Sequence, residues 1–264
     1  MIRELVYRVG RKMYMFARGD NENVPEKNGE YWLLEQVVQR VTGPSVFLDI
    51  GSNKGDWSAK VCDFFGARDT ALSIYAFEPS SYTRGLLAGR FSAQNNIHIS
   101  DCALSNEPGL SEFFIGAEGA GTNSLHEISG EKTESINIST LDIFLEENDI
   151  VRVDFGKIDT EGFDALVIEG AIKALEQGKF DLLQFEYNWR WLLNSKSLRD
   201  VFQLIENTPY SLGQLSENKI LIFDKWHYEM DRFFENNYVL VRKGGAFDDI
   251  GIPASYDLTN TLCY

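Results

Sequence analysis

Apolar and polar positions along this chain fall into blocks of two periods. VFLDI (46–50), between Pro44 and Gly51, is a short apolar run and predicts a buried strand. From Asp56 the apolar positions fall at Trp57, Val61, Phe64 and Phe65, one face of a helix. LSIYAFEP (72–79) predicts a second strand, SSYTRGLLAGRF (80–91) a helix and NIHIS (96–100) a third strand. Two strand–helix units joined by short loops predict parallel strands, right-handed crossovers and helices on the sheet faces. Segments 109–116 and 134–139 read as shorter additions around a Gly-rich polar loop, EGAGTNSLHE (118–127). Ser139 or Thr140 is placed to cap a helix over 141–148, with Asp142 in position for a capping box. VRVDFGKID (151–159) predicts the fourth core strand, and Phe163, Leu166, Val167, Gly170 and Ala171 give the next helix its buried stripe. FDLLQFEY (180–187) predicts the fifth strand, and the remainder one more helix and several late strands.

The two ends of the chain read differently. The first 18 residues interleave Leu5, Val6, Val9, Met13 and Phe16 with Arg3, Arg8, Arg11, Lys12 and Arg18. They predict a helix that buries its apolar face on the domain; a membrane-surface or anionic-substrate patch is the alternative. A helical stretch at 31–41 leads into the first strand. The expected organisation is an N-terminal helical extension (1–42), one sheet domain (43–243) and a C-terminal tail (244–264).

Composition adds exclusions. The 264 residues are 44% hydrophobic and 25% charged, as in ordinary globular domains. A formal charge of −15 argues against a partner held through a phosphate backbone, so no nucleic acid is expected. Cys62, Cys102 and Cys263 are odd in number and widely spaced, which fits neither a disulfide framework nor a zinc site and suits a reduced, cytoplasmic setting. The start lacks a secretory-type apolar run, and no run reaches the ~18 apolar residues of a membrane span, so the chain reads as soluble.

Candidate chemistry sits at the carboxyl ends of the strands, where ligands bind open parallel sheets. Strand one ends in Asp49-Ile50-Gly51-Ser52-Asn53-Lys54-Gly55, strand two in Glu78-Pro79, strand three at Asp101, strand four in Lys157-Ile158-Asp159-Thr160-Glu161-Gly162 and strand five in Glu186. Gly51 permits a sharp turn, and Gly55 lets a ligand lie where a Cβ would intrude. A dinucleotide loop would read GxGxxG, but Asn53 and Asp56 stand at its second and third glycines, so pyrophosphate is disfavoured. Asp49, Asp159 and Glu161 suit a cation, and S-adenosylmethionine carries both an ammonium and a sulfonium. Glu78, 27 residues beyond Gly51, is placed to accept hydrogen bonds from both ribose hydroxyls. Asp101 either reaches the adenine amino group or is a solvated turn residue.

DIGSNKG, AFEPS, CALSNEPG, STLDIF and KIDTEGFDALVIEGA resemble the FkbM family of S-adenosylmethionine-dependent O-methyltransferases over residues 45–242. The resemblance implies a Rossmann-like class I methyltransferase fold: a mostly parallel seven-stranded α/β sheet with helices on both faces and an antiparallel last strand at 238–242. It also implies methyl transfer to a hydroxyl, often on a sugar or natural product, with Lys157, Asp159, Glu161 and Gly162 beside the reactive methyl. The candidate cofactor contacts are Asp49, Gly51, Ser52, Asn53, Gly55, Glu78, Pro79, Asp101, Ala103 and Asp159.

Methyl transfer needs an aligned acceptor oxygen and a base for its proton. Asp159 is the first choice of base, followed by Glu161 and Glu186; the rival reading is that these acids bind cations, cap a helix or hold loops. Lys157 either orients a hydroxyl or neutralises its acidic neighbours, and His126 could serve as base if its loop closes. His98 and His227 read as packing residues. Trp189 and Trp191 could stack on a sugar but are more often core in such surroundings. Asp159, Glu161 and Glu186 would suit magnesium, though their spacing does not demand a divalent metal. The expected partner is a small-molecule or glycan acceptor, with a homo-oligomer and a peripheral membrane contact through the first helix left open. The alternatives are an NAD-dependent oxidoreductase of the same sheet class and a non-catalytic glycan-binding or scaffold protein retaining the fold.

Overall fold

The computed structural model describes residues 2–18, 24–66, 71–115 and 132–264. Its strands are β1 (Ser45–Ile50), β2 (Leu72–Phe77), β3 (Ile97–Ser100), β4 (Ala103–Leu104), β5 (Gly109–Ile115), β6 (Lys132–Ser139), β7 (Val153–Ile158), β8 (Phe180–Tyr187), β9 (Tyr210–Ser216), β10 (Lys219–Phe223), β11 (Asn236–Arg242), β12 (Gly251–Tyr256) and β13 (Leu262–Cys263). The helices are α1 (Ile2–Arg18), α2 (Glu30–Arg40), α3 (Asp56–Phe65), α4 (Ser81–Arg90), α5 (Leu141–Glu147), α6 (Asp164–Glu169), α7 (Ile172–Glu176) and α8 (Leu198–Ile205). A 3-10 helix covers Trp189–Asn194.

The main sheet runs β13-β12-β10-β9-β11-β8-β7-β1-β2-β3. β3, β2, β1, β7 and β8 are mutually parallel, and β11 lies antiparallel between β8 and β9. The seven strands from β3 to β9 are the mostly parallel class I sheet that the sequence resemblance implies. The sheet is wider than that expectation, because β10, β12 and β13 extend it to ten strands. β11 is also not the terminal strand, since β12 and β13 follow it in the chain.

β7 and β8 are buried along their whole length, as parallel strands covered on both faces must be, although Asp154, Lys157, Asp181, Gln184 and Glu186 interrupt their apolar positions. On one face Phe47, Phe155 and Leu182 meet Leu33, Leu34 and Val37 of α2, Trp57 and Val61 of α3 and Leu87 of α4. On the other, Leu48, Ile50, Leu183 and Phe185 pack with α5 to α8 through Leu145, Val167, Leu175 and Val201. A separate three-stranded sheet, β4-β6-β5, stands beside the end of β3.

Three local expectations are corrected. The first helix does not bury its apolar face: Leu5, Val6, Val9, Met13 and Phe16 are all exposed. The helix predicted after the fourth strand is two short helices, parted at Gly170 and Ala171, and Gly170 passes so close to the Ser105 carbonyl that a Cβ would lie 2.1 Å from its oxygen. Thr140 caps α5 by accepting from the Ile143 N–H at 3.2 Å, but Asp142 makes no capping box there. Its carboxylate instead accepts from the Lys173 and Ala174 N–H groups, at 3.0 and 2.8 Å, at the start of α7.

The N-cap residue of α7 is Ala171, which has no side chain to do this. Asp142→Ala should therefore lower stability by about 1 kcal/mol, the usual worth of an N-cap, with Asp142→Asn retaining part of it. Denaturant unfolding midpoints measure both, and an unchanged midpoint in the Ala variant would refute the borrowed cap.

Candidate active site

The turn after β1 is fixed by its neighbours. The Gly51 and Ser52 N–H groups donate to the Phe77 carbonyl at 3.1 and 3.0 Å, and the Asp159 N–H donates to the Ile50 carbonyl at 2.9 Å. Gly51 has φ +81°, and a Cβ there would lie 1.9 Å from the Asp159 backbone oxygen. No side chain fits, because the loops after β1 and β7 touch backbone to backbone. Gly55 has φ +79° as the N-cap residue of α3, and its missing Cβ makes room for Leu87 and Phe91 rather than for a ligand.

These loops enclose a cavity of about 380 Å³ beyond the carboxyl ends of β1, β2, β7 and β8. Gly51, Asn53, Glu78, Pro79, Ala103, Asp159, Glu161 and Glu186 line it, so most of the sequence candidates meet in one place. Asp49, Ser52, Gly55 and Lys157 are not in the lining. Ser52 is buried and its hydroxyl donates to the Phe77 carbonyl at 3.2 Å. Asp101 is exposed and faces separate shallow grooves shared with Arg84. His126 lies outside the described residues. Trp191 is fully buried, whereas Trp189 is exposed, with the Arg190 guanidinium 5.3 Å from its ring centroid. His98 stacks on Tyr75 and His227 on Tyr256, which agrees with packing roles.

Among the described residues, charge in the lining is lopsided: five carboxylates, Glu78, Asp159, Glu161, Glu186 and Glu235, face one guanidinium, Arg190. Arg190 pairs with Glu161 at 2.8 Å. Glu161 sits at φ +55°, a strained conformation for a residue with a side chain, and such strain gathers at functional sites. Burial is the largest cause raising the Glu161 pKa to about 7, with Asp159 adding to it against Arg190. Glu78 is also raised to about 7 by burial, even though it accepts from the Ser80 N–H at 2.9 Å. Asp164, behind the Thr160–Gly162 turn, is fully buried and raised to about 7 by burial and by Asp159. Glu186 is pushed well above the ordinary carboxylate range by burial and by its acidic neighbours, and accepts from Asn188 Nδ2 at 2.7 Å.

Beneath the cavity lies a polar layer that sequence reasoning resolved only in part. Asp49, Lys157 and Gln184 are register partners across β1, β7 and β8. Lys157 Nζ lies 2.8 Å from Asp159 Oδ2 and 4.0 Å from Glu30 Oε2, and Gln184 Nε2 donates to Glu30 at 2.9 Å. Burial alone would lower the Lys157 pKa, but Asp159, Glu30 and Asp49 outweigh it and hold the ammonium well above its ordinary value. Asp49, also bonded by the Ser58 hydroxyl, and Glu30 are raised by burial. Of the two roles considered for Lys157, this geometry fits charge neutralisation.

Several lining residues carried no signal readable in the sequence. Thr83, Phe113, Arg190 and Glu235 reach the cavity from α4, β5, the 3-10 helix and the loop before β11, while Phe163, expected in a helix's buried stripe, precedes α6 and lines the cavity. Three buried oxygens of lining residues, Asn53 Oδ1, Thr83 Oγ1 and Thr160 Oγ1, have no hydrogen-bond partner among the described residues. Buried polar atoms of this kind call for a ligand or solvent partner. Among the described residues, no group of three or more His, Cys, Asp or Glu side chains is arranged to hold a metal ion.

Comparison with known proteins adds the following. A family model described as the methyltransferase FkbM domain matches residues 49–212. Hexuronic acid methyltransferase AglP of Haloferax volcanii is 22% identical over 165 residues, 61% of this chain and 64% of that protein's length. Among solved structures, methyltransferase FkbM from Methylobacillus flagellatus KT is similar with a TM-score of 0.45 and 16% identity, covering 74% of this chain and 43% of that one. Aeropyrum pernix fibrillarin, solved with natively bound S-adenosyl-L-methionine, is similar with a TM-score of 0.44 and 12% identity, covering 80% and 73%.

Lys157 is the cation on which Asp49, Glu30 and Asp159 all depend, so Lys157→Met should cost about 3–5 kcal/mol at neutral pH. Protonating the carboxylates relieves their repulsion, and the deficit should shrink as the pH is lowered towards 5. Equilibrium unfolding at the two pH values tests this; a pH-independent deficit would point to lost packing instead.

Proposed function

The chain belongs to the FkbM methyltransferase family, and on that premise we propose that it transfers a methyl group from S-adenosyl-L-methionine to a hydroxyl of a carbohydrate or related metabolite. The observation that carries this reading is the acid-lined cavity with its partnerless buried oxygens at the ends of β1, β2, β7 and β8. Glu78 would accept from the two ribose hydroxyls, and Asn53, Thr83 and Thr160 would supply further polar contacts. The lining carboxylates favour the donor's ammonium and sulfonium over any phosphate. When bound, the donor supplies a methyl group on an excellent leaving group. The protein's own work is then to hold the acceptor oxygen in line, exclude water and take its proton.

For that proton we favour Glu161 over Asp159, the first choice from sequence. Arg190 fixes the position of Glu161. The excess of carboxylates favours an uncharged sugar hydroxyl, while the likeness to AglP recommends hexuronic acid glycans as a second acceptor class. A reducing, cytoplasmic setting belongs to the same proposal, since Cys62, Cys102 and Cys263 are free thiols.

S-adenosylhomocysteine at 100-fold over its Kd should stabilise the protein by about 2.7 kcal/mol and NADH should not, as read by thermal shift. Glu78→Ala should weaken that binding by about tenfold or more, since the hydrogen-bond acceptor for both ribose hydroxyls is lost. Stabilisation by NADH alone would favour the oxidoreductase.

With an acceptor found on a panel of neutral and hexuronic glycans, Glu161→Gln should lower kcat by about 10²–10⁴-fold while leaving S-adenosylhomocysteine binding intact. A base must be ionised, so the wild-type rate should fall as the pH drops through about 7, and this acidic limb should vanish in the variant. A limb that persists in Glu161→Gln would move the role to Asp159 or Glu186.

A further inference from the structure

Helix α1 is mounted the wrong way round for a soluble domain. Ile2, Leu5, Val6, Val9, Met13 and Phe16 fall at the i, i+3, i+4, i+7, i+11 and i+14 spacing of one continuous stripe. All six are exposed, Phe16 at 88% and Ile2 at 79%. The contacts that attach the helix to the body come from its polar side. The Tyr14 hydroxyl donates to Glu229 Oε2 at 2.6 Å, Arg18 pairs with the same carboxylate at 3.2 Å, and the Arg11 guanidinium lies 5.2 Å from the Phe234 ring centroid. The Tyr14 ring meets Phe234 edge-on. Anchoring through these groups turns the apolar stripe away from the protein.

We propose that α1 is an interfacial helix that lies on an anionic lipid bilayer, with its apolar stripe inserted at the headgroup boundary. The case rests on charge complementarity. Within α1 five cations, Arg3, Arg8, Arg11, Lys12 and Arg18, stand against the single acid Glu4, while the chain as a whole carries −15. An acidic body is repelled by an anionic surface, so the local basic excess fixes which part of the molecule approaches it. Arg3, Arg8 and Lys12 flank the stripe, where their long stems can follow it down while their charges stay among the headgroups. Packing α1 on α1 of a second copy through the stripe would instead bring two sets of its flanking cations, Arg3, Arg8 and Lys12, together. The attachment point also places this surface beside the cavity, because Phe234 precedes Glu235 of the lining.

The test is vesicle sedimentation of the full chain, independent of any activity. Vesicles of phosphatidylglycerol and phosphatidylcholine in equal parts should bind it at least tenfold more tightly than pure phosphatidylcholine, since each cation near such a surface contributes about fivefold. Val9→Glu with Phe16→Glu should reduce binding by tenfold or more while leaving the thermal midpoint unchanged, as both side chains are exposed. Should that variant fail to fold, Arg3→Gln with Arg8→Gln and Lys12→Gln decides the matter, because it keeps the stripe and should lose only the anionic preference. Equal binding to both vesicle types, or none to either, overturns the proposal. So does light scattering that shows an α1-dependent dimer with no vesicle binding, which would assign the stripe to a second copy.

Discussion

One buried ammonium organises the centre of this protein. Lys157 stands at the end of the middle strand, flanked by Asp49 on one neighbour and Gln184 on the other, with Glu30 descending from α2 and Asp159 at the loop above. Isolated, each of these charges would be prohibitive in an interior whose surrounding positions are Phe, Leu and Trp. Together they tie α2, β1, β7 and β8 at the level where the sheet stops and the cavity begins. The arrangement fixes the Asp159 backbone, and the Gly51 turn is built against that backbone.

The cavity inherits its properties from this foundation. Its acids are close enough to raise one another, and burial keeps them raised, so the lining holds Glu78, Glu161 and the underlying Asp164 near neutrality in proton affinity. A site of this kind prefers a cation and can exchange a proton near pH 7, the two properties that the proposed methyl transfer needs. The left-handed residues Asn53 and Glu161 both line the cavity, from the neighbouring loops after β1 and β7, where the chain accepts strain.

Much of this was legible in the sequence because it is local. The apolar runs of β1, β2, β7 and β8, the strand-end acids and the KIDTEG turn all announce themselves within a few residues. What was hidden depends on partners remote in the chain. Glu30 completes the Lys157 cluster from 127 positions away, Arg190 enters from the 3-10 helix and Glu235 from a loop, and Asp142 serves a helix other than its own. Gly55 was read as leaving space for a ligand, yet the space is taken by Leu87 and Phe91, which only the packing of α4 on α3 reveals. The amphipathic pattern of α1 was visible, but not which of its faces meets the body.

The small sheet β4-β6-β5 forms the outer wall of the cavity through Ala103, Leu104 and Phe113, and β4 joins it by just two register pairs. The floor, by contrast, is locked by backbone contact at Gly51. A shift of that wall therefore alters the cavity's width with few strand pairings to break, while a shift of the floor must part the loops after β1 and β7.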